Sequence, residues 1–203
     1  MTTDSRTSYY PTQMCHWPLT PGTAGSISAY SLLISGAMTP QPLPFDPTAR
    51  AATLWEEHVG TPTVMAAVTS IMRVQQILQS AVDAALRPHG LTFARYEALV
   101  LLFFSRKGSL PMRVMGERLQ LHPTSVTNIV DRLEGDGLVK RIPHPTDRRT
   151  TLVEITESGR QRRLAATEAV TSVDFGLRGL TDRQTEALTD LLAKVRRASG
   201  DFT

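Results

Sequence analysis

Cysteine is almost missing from this chain. Cys15 stands alone among 203 residues, which excludes an intramolecular disulfide framework and a cysteine-built zinc cluster, and fits a reducing cytoplasm. Long apolar runs are missing too: no stretch nears ~18 apolar residues without polar interruption, so no membrane span is expected. The best candidate, Ala24 to Met38, carries four serines and lacks the basic flank and cleavage-type ending of a secretory signal. Lysine is scarce, with Lys107, Lys140 and Lys194 the only three among 22 basic residues. Arginine therefore carries the positive charge, and its planar fork pairs with phosphate in a two-pronged way that lysine cannot. What remains, 41% apolar and 20% charged, is ordinary for a globular domain.

The net charge of +3 is unevenly spread. Residues 1–61 hold two basic against four acidic groups, a balance of −2; the remainder holds twenty basic against fifteen acidic, a balance of +5. That excess suits an anionic partner such as nucleic acid, although it also occurs in proteins that bind nothing acidic. Residues 1–45 hold six of the thirteen prolines, many Ser, Thr and Gly, and no sustained apolar period. Such a segment cannot bury enough surface to offset its chain entropy, so a disordered tail is expected there. Met38 offers an alternative start, which would make the first 37 residues non-native.

From Asp46 the pattern turns helical. Asp46-Pro47 and Thr61-Pro62 are start signals, and Val64, Val68, Ile71, Met72, Ile77 (off the strict period), Leu78, Val82 and Leu86 form a helical stripe ended by Pro88, His89 and Gly90. Leu91-Thr92 opens an almost wholly apolar helix, with Leu91 placed to staple onto Tyr96. Two short helices follow, over Met112–Leu119 and Pro123–Gly135. Leu138–Arg141 and Thr151–Ile155 read as strands around a polar loop. The chain ends in two helices, about Glu157–Leu177 and Asp182–Ser199, the second opened by a capping box of Thr181 and Gln184.

Helix, short turn, helix and then a two-stranded hairpin is the order of a winged helix-turn-helix. The expected fold is mainly α with a small β-wing, its winged domain (91–156) flanked by helices at 46–90 and 157–203. The second short helix suits a major groove, because Pro123, Thr124, Ser125, Thr127 and Asn128 open it with small groups that approach base edges without clashing. Arg132 lies further along that helix. At the hairpin tip, Arg148 and Arg149 suit a narrow minor groove, and Asp147 can fix the turn before DNA arrives. Lys140 and Arg141 are placed for the flanking phosphates.

These residues resemble the MarR family of transcription regulators. The likeness lies in GLTFARYEALVLL, in PMRVMGERLQLHPTSVTNIVDRLEGDGLVKR and in the wing PHPTDRRTTLVEIT. The family's Asp-x-Arg wing motif falls on Asp147 and Arg149, and its DRL triplet on Asp131, Arg132 and Leu133. The resemblance runs over roughly residues 46–199. It implies a cytoplasmic homodimer on double-stranded DNA, most simply a repressor on a pseudo-palindromic operator, released by a small aromatic or phenolic effector. The terminal helices agree on their own account. Trp55 near the start, with Leu188, Leu191, Leu192 and Val195 near the end, is more apolar surface than one small winged domain covers, and symmetric pairing is the usual outlet. Trp55, His58, Arg73, His89 and Tyr96 are candidate pocket residues, since they lie on helices flanking the expected effector cleft.

Rival chemistries find little support. The five histidines, His16, His58, His89, His122 and His144, show no i, i+4 pair, so neither a metal nor another cofactor is expected. Cys15 sits in the tail without the surroundings of a redox sensor. No nucleophile elbow or phosphate loop appears, which argues against an enzyme. A winged helix used for protein contact alone would not need the paired arginines at the wing tip.

Overall fold

The computed structural model describes residues 42–147 and 150–203, and Phe45–Thr203 form one compact body. Cys15, His16, the alternative start at Met38 and all but the last residues of the expected tail lie outside the described residues, as do Arg148 and Arg149.

Helix α1 (Pro47–His58) starts where Asp46 accepts the Thr48 N–H at 2.8 Å with Pro47 in the first turn. Helix α2 (Thr63–Leu86) buries only Val82 and Leu86 of its apolar stripe, leaving Val64, Val68, Ile71 and Met72 exposed. A short 3-10 turn over Arg87–His89 leads into α3 (Phe93–Phe104), the central helix, which buries Tyr96, Ala98, Leu99 and Leu102. The expected staple pair, Leu91 and Tyr96, is buried. Helices α4 (Met112–Leu119) and α5 (Pro123–Gly135) pack on it through Met115, Val126, Val130 and Leu133.

Two features depart from the sequence reading. Strands β2 (Val139–Pro143) and β3 (Thr151–Ile155) form the expected hairpin, but β1 (Ser109–Pro111) pairs with the other edge of β3, so the antiparallel sheet has three strands in the order β1-β3-β2. Three residues ending in proline are too short to show an alternation. The helix expected over 157–177 is instead α6 (Glu157–Ser172) followed by a 3-10 turn at Asp174–Gly176, where Asp174 and Phe175 take φ of 50° and 51°. The cause is tertiary: Gly176 lies against α2 so closely that a Cβ there would sit 2.7 Å from Ala81 Cβ. Gly159 serves the other end of α6, where a Cβ would stand 2.1 Å from the Leu138 carbonyl oxygen. Helix α7 (Asp182–Ala198) opens on the expected capping box of Thr181 and Gln184 and buries none of its residues. Among the described residues, no helix is long and apolar enough to cross a membrane.

Candidate nucleic-acid interface

Helix α5 has two unlike faces. Val126, Val130 and Leu133 recur at intervals of four and three and are buried, which turns Thr124, Ser125, Thr127, Asn128 and Arg132 to solvent. His122 caps the helix, its Nδ1 accepting the Thr124 N–H at 3.3 Å, and Pro123 sets the first turn. The Thr127 hydroxyl donates to the Pro123 carbonyl at 3.1 Å. The side chains of Thr124, Ser125, Asn128 and Arg132 have no hydrogen-bond partner among the described residues. Such a row of free donors and acceptors on a rigid helix matches what base edges offer in a major groove.

The turn into α5 is held from outside. Gln120 takes the left-handed conformation, φ 53°, and its amide donates to the Asp201 carboxylate beyond α7. That bond, together with one from Arg196 Nε at 2.6 Å, holds the Asp201 carboxyl below its usual range. At the far end, Arg95 of α3 reaches Asp136 at 3.4 Å. Thr92 and Arg95 thereby join Asn128, Ile129 and Arg132 around a shallow hollow of about 350 Å³ beside the helix. Sequence reasoning missed Thr92 and Arg95, because only the fold brings the start of α3 beside α5.

The wing is fastened to the same helix. Arg141 donates to Asp131 at 2.5 Å and to Glu134, while its backbone N–H donates to Glu134 Oε1 at 2.8 Å. The bond to Asp131, then those to Glu134, holds the guanidinium proton more tightly than usual against the opposing pull of burial. Lys140 pairs with Glu154 at 2.7 Å, its register partner on β3. Both residues expected to face phosphates thus have protein partners, and Arg141 acts as a clamp between β2 and α5. The signal was present in the sequence: two carboxylates at i and i+3 on one helix face, ten and seven residues before an arginine. In the loop, His144 Nδ1 accepts the N–H groups of Thr146 and Asp147 at 3.3 and 3.1 Å, and Asp147 accepts the Thr150 hydroxyl at 2.6 Å. Asp147 and His144 thereby tie together the described parts of the loop at Thr146 and Thr150.

The residues singled out for pairing and for a ligand are scattered. Leu191 and Val195 are 60% and 58% exposed on α7, and Trp55 is exposed on α1. Leu188 and Leu192 instead line an apolar groove of about 580 Å³ with Ile71, Leu78, Phe93 and Phe175. None of the five candidate pocket residues lines that groove. His58 is exposed with Nδ1 2.9 Å from the Leu54 carbonyl oxygen, and Arg73 donates to Gln76 at 3.2 Å. The His89 carbonyl accepts from Arg162, while Tyr96 is buried with its hydroxyl 3.1 Å from Thr167.

An exposed polar helix face, a wing clamped beside it and an apolar platform behind both define a winged helix-turn-helix protein of the DNA-binding type. The model of the MarR family matches residues 89–150. The MarR family transcriptional regulator Sco5413 from Streptomyces coelicolor is 53% identical, with a TM-score of 0.64 over 69% of this chain and 97% of that one. CouR from Rhodococcus jostii RHA1, solved with p-coumaroyl-CoA bound, is 32% identical, with a TM-score of 0.55 over 62% of this chain and 87% of its own. The HTH-type transcriptional regulator MhqR of Bacillus subtilis (strain 168) is 34% identical over 89 residues, a match spanning 44% of this chain and 60% of MhqR. This chain belongs to the MarR family of transcriptional regulators. It is accordingly a DNA-binding regulator and not an enzyme.

Proposed function

We propose that this protein is a sequence-specific repressor that binds a pseudo-palindromic operator as a homodimer and lets go when a small aromatic or phenolic effector binds. The observation that carries the DNA reading is the outer face of α5, with four polar side chains unsatisfied among the described residues and an apolar face packed behind them. Thr124, Ser125, Thr127, Asn128 and Arg132 read bases in the major groove. Asp147, Arg148 and Arg149 serve the minor groove, with Lys140 nearby and Arg141 fixing the wing's angle. The helices at 46–90 and 157–203 pair two chains around the DNA-binding part at 91–156, and the dimer works in the cytoplasm, where its duplex target lies. The effector reading draws on CouR, the relative solved with p-coumaroyl-CoA bound.

Salt titration separates the two DNA-facing elements. Arg149→Ala should weaken binding to every duplex and flatten the slope of log K against log salt by ~0.9 for each phosphate that a subunit no longer neutralises. Asn128→Ala should leave that slope alone and relax preference at one base pair per half-site, by ~1–3 kcal/mol for a paired contact. If Arg149→Ala changes neither affinity nor slope, the wing does not touch DNA, and the winged helix serves a protein partner instead.

A further inference from the structure

We propose that Asp201, just beyond α7, is a positioning residue for discrimination between DNA sequences: it braces the turn between α4 and α5 and so sets how the first turn of α5 meets a duplex. This role rests on the reading of α5 as the sequence-reading helix. The turn itself calls for a brace. Gln120 ends α4 at φ 53° and ψ 42°, a left-handed conformation that glycine or asparagine usually fills at a helix end. Other L residues enter it at a cost, and glutamine lacks the short side chain that would bond its own backbone there. Its amide instead donates to the Asp201 carboxylate, 81 residues away along the chain. The turn is also tight. The Gln120 and Leu121 N–H groups both donate to the Gly116 carbonyl, the second at 3.0 Å, and a Cβ on Gly116 would stand 3.2 Å from the Leu121 carbonyl oxygen. Helix α5 begins at Pro123, so a shift at Gln120 has little chain to absorb it before Thr124, Ser125 and Asn128.

The other end of the brace is fixed to α7. Gly200 turns the chain at φ 77°, its N–H donating to the Arg197 carbonyl at 3.0 Å, and the Asp201 N–H donates to the Arg196 carbonyl at 3.1 Å. Arg196 Nε donates to Asp201 Oδ2 at 2.6 Å, which leaves Oδ1 for Gln120. Phe202 lies against the Arg196 and Arg197 guanidinium groups, 5.3 and 5.0 Å from its ring centroid. The Asp201 side chain is only 17% exposed. A solvated surface carboxylate would account for the Arg196 pair, but not for a glutamine held in the left-handed position. Side chains on a recognition element work only within about 0.5 Å of their productive pose. A brace on this turn therefore acts on the choice between duplexes rather than on attraction to phosphate.

The test compares Asp201→Ala with Asp201→Asn in the full chain. Both remove the same charge, and only asparagine keeps an oxygen to accept the Gln120 amide. Binding is measured to a duplex that the parent selects from a random pool and to an unselected duplex, with backbone hydrogen exchange of the free protein alongside. Asp201→Ala should bind the selected duplex about tenfold more weakly, the scale of one hydrogen bond to a charged group. Its binding to unselected DNA and its salt slope should not move, because no phosphate contact is lost. Exchange over residues 121–126 should quicken about tenfold while α3 exchanges as in the parent, so the fold is intact. Asp201→Asn should recover most of both losses. The proposal is overturned if Asp201→Ala discriminates as the parent does, or if exchange in the turn is unchanged. It is equally overturned if both variants lose alike on both duplexes, which would make the effect one of charge. A parent that prefers no duplex refutes the reading of α5 itself, and the positioning role with it.

Discussion

Thr124, Ser125 and Asn128 matter because their side chains are short, polar and unspent among the described residues. Thr127 differs, since its hydroxyl proton goes to the Pro123 carbonyl and only its methyl and lone pairs face outward. A different polar residue, Glu97, sits half-buried on α3, and burial pushes its carboxyl above the ordinary carboxylate range. A raised folded-state value means the protonated form suits the fold. The associated stability is present below the unfolded-state value and is lost as pH rises through the folded one. Glu97→Gln, which keeps the shape and discards the charge, should therefore melt a little higher than the parent at pH 7. The gap should close as acid protonates the parent. Thermal melts across that range check it, and a variant that melts lower at neutral pH would contradict the burial argument.

Among the elements, α5 and the wing behave as one unit because Arg141 joins them. A two-pronged arginine between Asp131 and Glu134 ties strand β2 to α5 in the free protein. Arg141→Ala should leave two carboxylates facing each other. It should cost about 1 kcal/mol of stability, kept small by solvent screening, and should weaken duplex binding across sequences. Arg141→Lys restores the charge but not the fork, and should recover the melt better than the affinity. If both variants bind DNA as the parent does, the wing does not need the clamp. Much of this scale was legible beforehand. The spacing of Val126, Ile129, Val130 and Leu133 located α5, and Thr181 with Gln184 located the start of α7. The third strand and the end of α6 were not legible. Ser109–Pro111 is a strand only because β3 has a free edge beside it, and α6 stops because Gly176 must lie against Ala81, a contact between segments far apart in sequence. The clamp was written in the carboxylate spacing, but its meaning depended on where β2 turns back.

At the scale of the whole molecule, the terminal helices are unfinished surfaces. Helix α7 buries nothing of its own, with Leu191 and Val195 outward, and α2 leaves Val64, Val68, Ile71 and Met72 uncovered. Exposed apolar rows of this extent mark an interface, and a second copy of the same chain is the simplest cover. Aspartate at both Leu191 and Leu192 would bury unpaired charge in that interface, costing several kcal/mol per site, and light scattering should then report a monomer. A variant that stays dimeric would place the contact elsewhere. Pairing of two copies would also set how the protein meets DNA, since two copies of α5 on one side of a duplex should sit about one helical turn apart.

The most direct test of the central claim, that α5 reads sequence in a paired molecule, is selection of bound duplexes from a random pool with the purified full chain. The account predicts an enriched pseudo-palindrome with half-site centres roughly 10 base pairs apart. The selected duplex should be bound at least ~10³-fold tighter than random DNA at physiological salt. A pool that emerges without enrichment, binding only through its charge, would contradict it.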